Sequence, residues 1–285
     1  MLVKKDSPLL TWLLEAFPDM SRSRVKQLLR QGRILVNGKS IRQHDALLRV
    51  GDTVEIGAAS VEANRISNHY LRLVYEDNHL VVIDKREGIL SMATSHHSFC
   101  VKTVLDEYFE RRHLRCSAHL VHRLDRDTSG LMIFAKSRNV QKIFEEDWKG
   151  LVYDRRYVAV ALGQVEKDEG TISNWLKDNK QFFTFSSPVD NGGKFAVTHY
   201  RVLQRGATNT LVEARLDTGR KNQIRVHLSD LGNPILGDRK YAPDDAVAAF
   251  SRLCLHAYRL YFIHPVTGEH LMFDTPVPNK FLSAL

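Results

Sequence analysis

The sequence predicts an α+β protein: a mixed, mainly antiparallel β-sheet domain with a small α/β module at its N-terminus. Three observations carry that expectation. Runs rich in β-branched and aromatic residues outnumber helical ones beyond residue 70. They do not alternate with helices regularly enough for a doubly wound parallel sheet. The first 57 residues carry helices, a turn and strands of their own. No stretch approaches the roughly 18 consecutive apolar residues of a membrane span. With 43% hydrophobic and 26% charged residues among 285, the composition is that of a globular chain with a real core.

In the N-terminal module, Ser7 and Pro8 read as an N-cap and first-turn pair ahead of Leu9, Leu10, Leu13, Leu14 and Phe17 at helical spacing. Ser21 is placed to cap SRSRVKQLLRQG, whose apolar face is Val25, Leu28 and Leu29 and which Gly32 ends. ILVNGKSI is a strand entering an Asn37-Gly38 hairpin turn, and VGDTVEI closes the module. Residues 58–70 show neither period and form a linker, which gives domains at 1–57 and 71–285. In the second, LRLVYEDNHLVVIDK holds two strands around Asp77-Asn78, followed by strands at LMIFAK, RRYVAVAL, NTLVEARL, YRLYFI and HLMFD. Ser137 caps a helix bearing Val140, Ile143, Phe144 and Trp148 that Gly150 closes, and KNQIRVHLSDLG is another, ended by Gly232.

The net charge is +8, and residues 1–57 hold 10 basic against 6 acidic side chains. A polyanion is the expected partner, nucleic acid ahead of a membrane surface. At 100° per residue, Arg22, Lys26 and Arg30 fall within an arc of about 80° on one helix. With Arg33 and Lys39 they are candidates to neutralise phosphates. A solvated basic face is the alternative. Cys100, Cys116 and Cys254 are isolated and odd in number, which suits a reducing compartment without disulfides. Glu15 and Pro18 stand where a secretory signal would need small residues, so the N-terminus reads as a cytoplasmic start.

The densest polar cluster is HLVHRLDRDTSGLMIFAK, set against an apolar strand. As a metal site, His119 and His122 would need a helix and a third ligand, and none is evident. Asp127-Thr128-Ser129-Gly130 matches an aspartic protease turn only loosely and has no second copy. Asp125 and Asp127, two apart, sit too close for a glycosidase pair. The plain alternative is a turn capped by Asp and Thr and solvated by arginines.

HRLDRDTSG resembles the signature of the RluA-type pseudouridine synthases, enzymes that isomerise uridine in ribosomal and transfer RNA. RRYVAVALG resembles the family's second motif, with Arg155 where lysine is usual and Tyr157 at the aromatic position. LDTGRKNQIRVHLSDLGNPILGDRKY resembles the third, with Asn222 where histidine is common. LCLHAYRLYFIHPVTGEHLMFDTPVP resembles the C-terminal strands. At KREGIL the family carries a Lys-Pro pair; Arg86 replaces that proline, which should alter a loop and spare the chemistry. SRSRVKQLLRQGRILVNGK and VGDTVEI resemble the S-four-like (αL) RNA-binding domain that often precedes this catalytic domain in members acting on large-subunit ribosomal RNA.

The resemblance implies a pseudouridine synthase fold and a cofactor-independent isomerase acting on RNA, with 23S-type large-subunit ribosomal RNA expected and transfer RNA as an alternative. Asp125 would be the catalytic carboxylate, attacking the sugar or taking its proton. Arg225 would keep it ionised, and Tyr157 would stack on the uracil. Arg123 would fill the space that the extruded uridine leaves, and Ile224 would line the base pocket. The bland counterparts are a phosphate contact or surface charge for Arg123, a packed core tyrosine for Tyr157, a structural ion pair for Arg225 and helix packing for Ile224. His122 and Thr128 are expected to shape the catalytic loop. The isomerisation is redox-neutral, so no redox cofactor is expected; no metal site or membrane partner is read from the sequence, and with no oligomer interface evident a monomer is expected. A non-catalytic RNA-binding or ribosome-assembly factor, and an N-glycosidase releasing uracil, are the competing functions.

Overall fold

The computed structural model describes residues 1–18, 20, 22–30, 34–41, 43–56, 69–93 and 99–285. The chain divides into two compact units, Met1–Arg65 and Ile66–Leu285. Ser21, Gly32 and residues 58–68 of the expected linker lie outside the described residues.

The first unit runs β1 (Ser7–Pro8), α1 (Leu9–Ala16), α2 (Arg22–Arg30), β2 (Ile34–Val36), β3 (Lys39–Ser40), β4 (Leu47–Leu48) and β5 (Val54–Ile56). β3, β2 and β5 form a sheet, and β1 pairs with β4. Leu9 and Leu13 of α1 pack with Val25, Leu28 and Leu29 of α2 against Ile34, Leu48 and Val54. The Asn37-Gly38 turn forms as expected, with φ of 53° and 76°, the left-handed pair that a two-residue hairpin of this twist needs. The expected Ser7 cap does not form. Ser7 and Pro8 are a strand instead, and the first turn's N–H groups go elsewhere: Leu9 N to Ala46 O at 2.8 Å and Leu10 N to His44 O at 3.0 Å.

The second unit begins with β6 (Leu71–Glu76), β7 (Leu80–Lys85), α3 (Val101–Arg111), β8 (His119–Leu120) and β9 (Ser129–Ala135). It continues through α4 (Arg138–Glu146), α5 (Trp148–Leu151), β10 (Val152–Leu162), β11 (Glu169–Asp178), β12 (Thr184–Ser187), β13 (Lys194–Arg205) and β14 (Asn209–Leu216). It ends with α6 (Gln223–Asp230), α7 (Asp244–Ala249), β15 (Leu255–Ile263), β16 (His270–Asp274) and α8 (Asn279–Leu282). One sheet runs β12-β11-β13-β14-β10-β15-β9-β7-β6, with β16 on β15 and β8 on β9. Among these ladders only β15–β9 is parallel, aligning His256 with Ser129 and Ala257 with Gly130. The domain is therefore mixed and mainly antiparallel, as the sequence predicts. Gly130 is required at that crossing: its φ is +120°, and a Cβ would lie 2.2 Å from Ala257 O.

Two local expectations need correction. The Ser137 cap is present, its Oγ accepting from Val140 N at 3.3 Å, but the helix does not continue to Gly150. It stops at Glu146, and Asp147 caps a separate short turn by accepting from Gly150 N at 3.0 Å. Strands β11, β12 and β13 and helix α3 were not anticipated. β11 buries Asn174 and Leu176 on one face, with Thr171 and Ser173 exposed and Trp175 half-buried on the other, a pattern that its polar composition hides.

Candidate active site

The loop between β8 and β9 carries the signature, and its backbone is tied down on several sides. Ser91 Oγ donates to Leu124 O at 2.7 Å and accepts from Leu124 N at 3.1 Å. Lys85, fully buried at the end of β7, donates to the carbonyls of Arg86, Ile89 and Arg126, each at 2.9 Å. Burial pulls its ammonium down to about 8 against the opposing pull of Asp127 and Asp125. His122 Nε2 accepts from Ile133 N at 3.0 Å, and Thr128 N donates to Asp125 O at 3.2 Å. These restraints fix the loop from which the Asp125 side chain, 25% exposed, projects. Arg86 N donates to Tyr70 O at 2.8 Å, a bond that a proline there could not make.

Facing that loop is the first turn of α6. Arg225 is 10% exposed and held by more than one anion. Its Nε and Nη2 donate to Asp238 Oδ2 and Oδ1 at 2.7 and 2.6 Å, a bidentate pair with a carboxylate that has no exposed surface. Its Nη1 donates to Asn222 Oδ1 at 2.9 Å and stands 3.5 Å from Asp125 Oδ2. The Tyr241 ring covers the guanidinium at 5.3 Å. Burial alone would lower the Arg225 pKa, but Asp238, helped by Asp125, outweighs it and raises it. Asn222 sits at φ 55°, a left-handed conformation that asparagine tolerates, and its Nδ2 reaches Thr184 Oγ1 at 3.2 Å. Tyr241 Oη donates to Thr184 O at 2.9 Å, so β12 supports both neighbours of Arg225.

Tyr157 on β10 is 5% exposed, with the Arg155 guanidinium 5.9 Å from its ring and 5.5 Å from Trp148. Arg123, Asp125, Tyr157, Ile224 and Arg225 line one cavity of about 60 Å³, space for several waters. Arg123, Asp125 and Tyr157 also line an adjoining open cleft of about 810 Å³, with Arg155, Arg220 and Lys221 along it. The arrangement presents a carboxylate, an adjacent fixed cation and an aromatic ring to one small pocket that opens onto a basic groove. A planar base entering from the cleft would meet the acid, the ring and the cation together at this pocket, and the cations along the cleft suit phosphates.

The five residues expected around the base thus share one cavity. The basic residues expected to bind RNA lie in the other unit: Arg22 and Lys39 are exposed and Lys26 is half-buried. Arg33 and the side chain of Arg30 fall outside the described residues. His119 and His122 do not converge on a shared ligand; His119 Nε2 meets Ser117 Oγ at 3.0 Å. Among the described residues no group of three His, Cys, Asp or Glu could hold a metal ion, and no helix is long and apolar enough to cross a membrane. Sequence reasoning did not single out Asp238, Tyr241 or Lys85. Asp238 and Tyr241 stand in the GDRKY run already quoted, where an acid and an aromatic downstream of a buried arginine were the available signal.

A family model described as RNA pseudouridylate synthase matches residues 79–230, and one described as S4 domain matches residues 7–54. Ribosomal large subunit pseudouridine synthase D of Xanthomonas campestris is 35% identical, the match covering 96% of this chain and 87% of that protein. The protein of the same name from Pasteurella multocida is 34% identical over 95% of this chain and 87% of its own length. Among solved structures, human RNA pseudouridylate synthase domain containing 4 superposes with a TM-score of 0.62 at 26% identity, covering 75% of this chain and 91% of that one.

Proposed function

Since the chain belongs to the RNA pseudouridylate synthase family and is an RNA uridine isomerase with an S4 RNA-binding domain, we propose that it modifies large-subunit ribosomal RNA, with Asp125 as its catalytic carboxylate. The contact of Asp125 with an Arg225 that Asp238 already pairs carries the residue assignment. Arg225 sets a positive charge 3.5 Å from Asp125, while its bidentate bonds to Asp238 leave Asp125 with that one longer contact and a carboxylate free to react.

In the reaction, the bond between ribose carbon 1′ and uracil nitrogen 1 breaks, the ring turns, and carbon 5 bonds to carbon 1′. The proton on carbon 5 leaves and nitrogen 1 gains one, so the sum is an isomerisation. Asp125 either adds to carbon 1′ or removes the proton on carbon 2′; both need an ionised oxygen in the pocket. Tyr157 gives the detached ring a face to lie on, Ile224 closes the pocket, and Arg123 occupies the stack that the uridine vacates. The substrate assignment rests on the names of the relatives and on the basic N-terminal helix.

The test is tritium release from unmodified large-subunit ribosomal RNA carrying uridine labelled at carbon 5. Wild type should release label, and Asp125→Ala should fall to background while binding the RNA with near wild-type affinity. Free uracil in place of pseudouridine, or full activity in the variant, would overturn the reading.

A further inference from the structure

The turn joining β11 to β12 holds a residue that local stability does not explain. Asn179 Oδ1 accepts from the N–H groups of Gln181 and Phe183, both at 2.9 Å, and Asn179 N donates to Phe183 O at 2.9 Å. This fixed turn places Phe182 at φ +60°, a left-handed conformation costly for a bulky side chain and easy for glycine. The ring is turned outward and the residue is 73% exposed, so burial does not offset the strain.

The position of that ring is also informative. Lys221 Nζ donates to Phe182 O at 3.1 Å and to Asp178 Oδ2 at 2.8 Å, and it stands 5.7 Å from the Phe182 ring. Lys221 lines the same open cleft as Asp125 and Tyr157, so Phe182 is one contact removed from that cleft. Behind the tip, Phe183 packs on Tyr241 at 4.9 Å, and Thr184 supports Tyr241 and Asn222, the neighbours of Arg225. The strained tip is therefore built onto the walls of the pocket.

We propose that Phe182 is a stacking platform for an unpaired RNA base beside the target uridine, with Lys221 and the exposed Lys180 meeting its phosphates. The proposal rests on RNA being the substrate. Charge selects this occupant over an apolar protein surface: the ring lies beside Lys180 in the chain and 5.7 Å from Lys221, which lines the basic groove. Extruding one uridine unstacks the bases around it, and an exposed aromatic face can take a neighbouring base on the side that Arg123 does not fill. A π face reads no base edge, so the contact adds affinity without selecting a sequence.

The experiment uses the full chain and in vitro transcribed large-subunit ribosomal RNA, with filter binding and tritium release as readouts. Phe182→Ala and Phe182→Leu should each raise the dissociation constant and KM by about fivefold or more, the loss falling on these rather than on kcat. Phe182→Trp should stay near wild type. Phe182→Gly should bind as weakly as the alanine variant yet unfold at a higher temperature, because it relieves the turn. Wild-type affinity in the leucine variant would assign the ring to an apolar partner and overturn the proposal, as would unchanged binding in all four. Binding is read without turnover, so silence of the wild type in the tritium assay would count against the isomerase reading and leave this test standing.

Discussion

Arg22 and Lys39 of the first unit stand exposed on a helix and a hairpin, whereas Arg225 and Lys85 of the second are enclosed and bound to named acceptors. An exposed cation costs little to place and acts at long range through a field that salt screens. An enclosed one must be matched, by Asp238 and Asn222 for Arg225 and by three carbonyls for Lys85, and in return its position is fixed. The contrast separates two uses of positive charge: exposed cations stay open to a polyanion, and enclosed ones hold atoms in place. Substitutions in the two units should then fail in different ways.

The widest separation should appear on acidification. Burial holds His227 down at about 4, and burial with Arg252 nearby holds His256 at about 4. Both lie in the second unit, while His44 in the first is largely exposed. Because the folded values lie below the unfolded one near 6.5, the unfolded chain binds more protons between pH 6.5 and 4, and stability is lost as pH falls through that window. With His122, which burial and then Arg155 hold at about 3, these groups give a slope of roughly 4 kcal/mol per pH unit at the steepest. Hydrogen exchange followed peptide by peptide should show 71–285 losing protection at a higher pH than 1–56. Parallel loss in both would erase the contrast.

Next in size is Asp238→Ala, which strands the Arg225 charge in the pocket wall. Chemical unfolding should show a loss of about 3–5 kcal/mol, with turnover falling as well. A loss under about 1 kcal/mol would mean that water replaces the carboxylate, placing Arg225 with the exposed cations. The smallest effect is expected from Arg22→Gln with Lys26→Gln. Stability should stay within about 0.5 kcal/mol of wild type, while the slope of log affinity against log salt flattens by roughly 0.7–0.9 per lost contact. An unchanged slope would make that helix a solvated face.

The legible parts of the fold were those whose signal is local. Asn37-Gly38 announces its own turn, Ser137 its own cap, and the run from Leu131 to Ala135 its own buried strand. The strands that escaped lie at the sheet's far edge, where β11 and β13 alternate buried residues with Thr, Ser, His and Arg that water can also accommodate. The site was legible through a resemblance to a nine-residue signature and its companions, which named Asp125 and Arg225. The strongest partner of Arg225 is Asp238, thirteen positions on and across a turn, and no periodicity ties two residues at that spacing. Phe182 was invisible for the opposite reason: nothing in QFFTF marks a turn, whereas its placement is set by the turn of Asn179.

The parallel pairing of β9 with β15 sets an order of events during synthesis. All seven residues of β9 are buried, and one of its edges is completed by a strand whose contact with Ser129, at His256, lies 127 residues further along. At about 5–20 residues per second, a ribosome takes roughly 6–25 s to cover that distance. Throughout that interval the nascent chain carries an apolar strand with an open hydrogen-bonding edge, the kind of segment that other chains and chaperones bind. Arg225 and Asp238 also arrive within it, so the pocket around Asp125 closes only when most of the chain has been made.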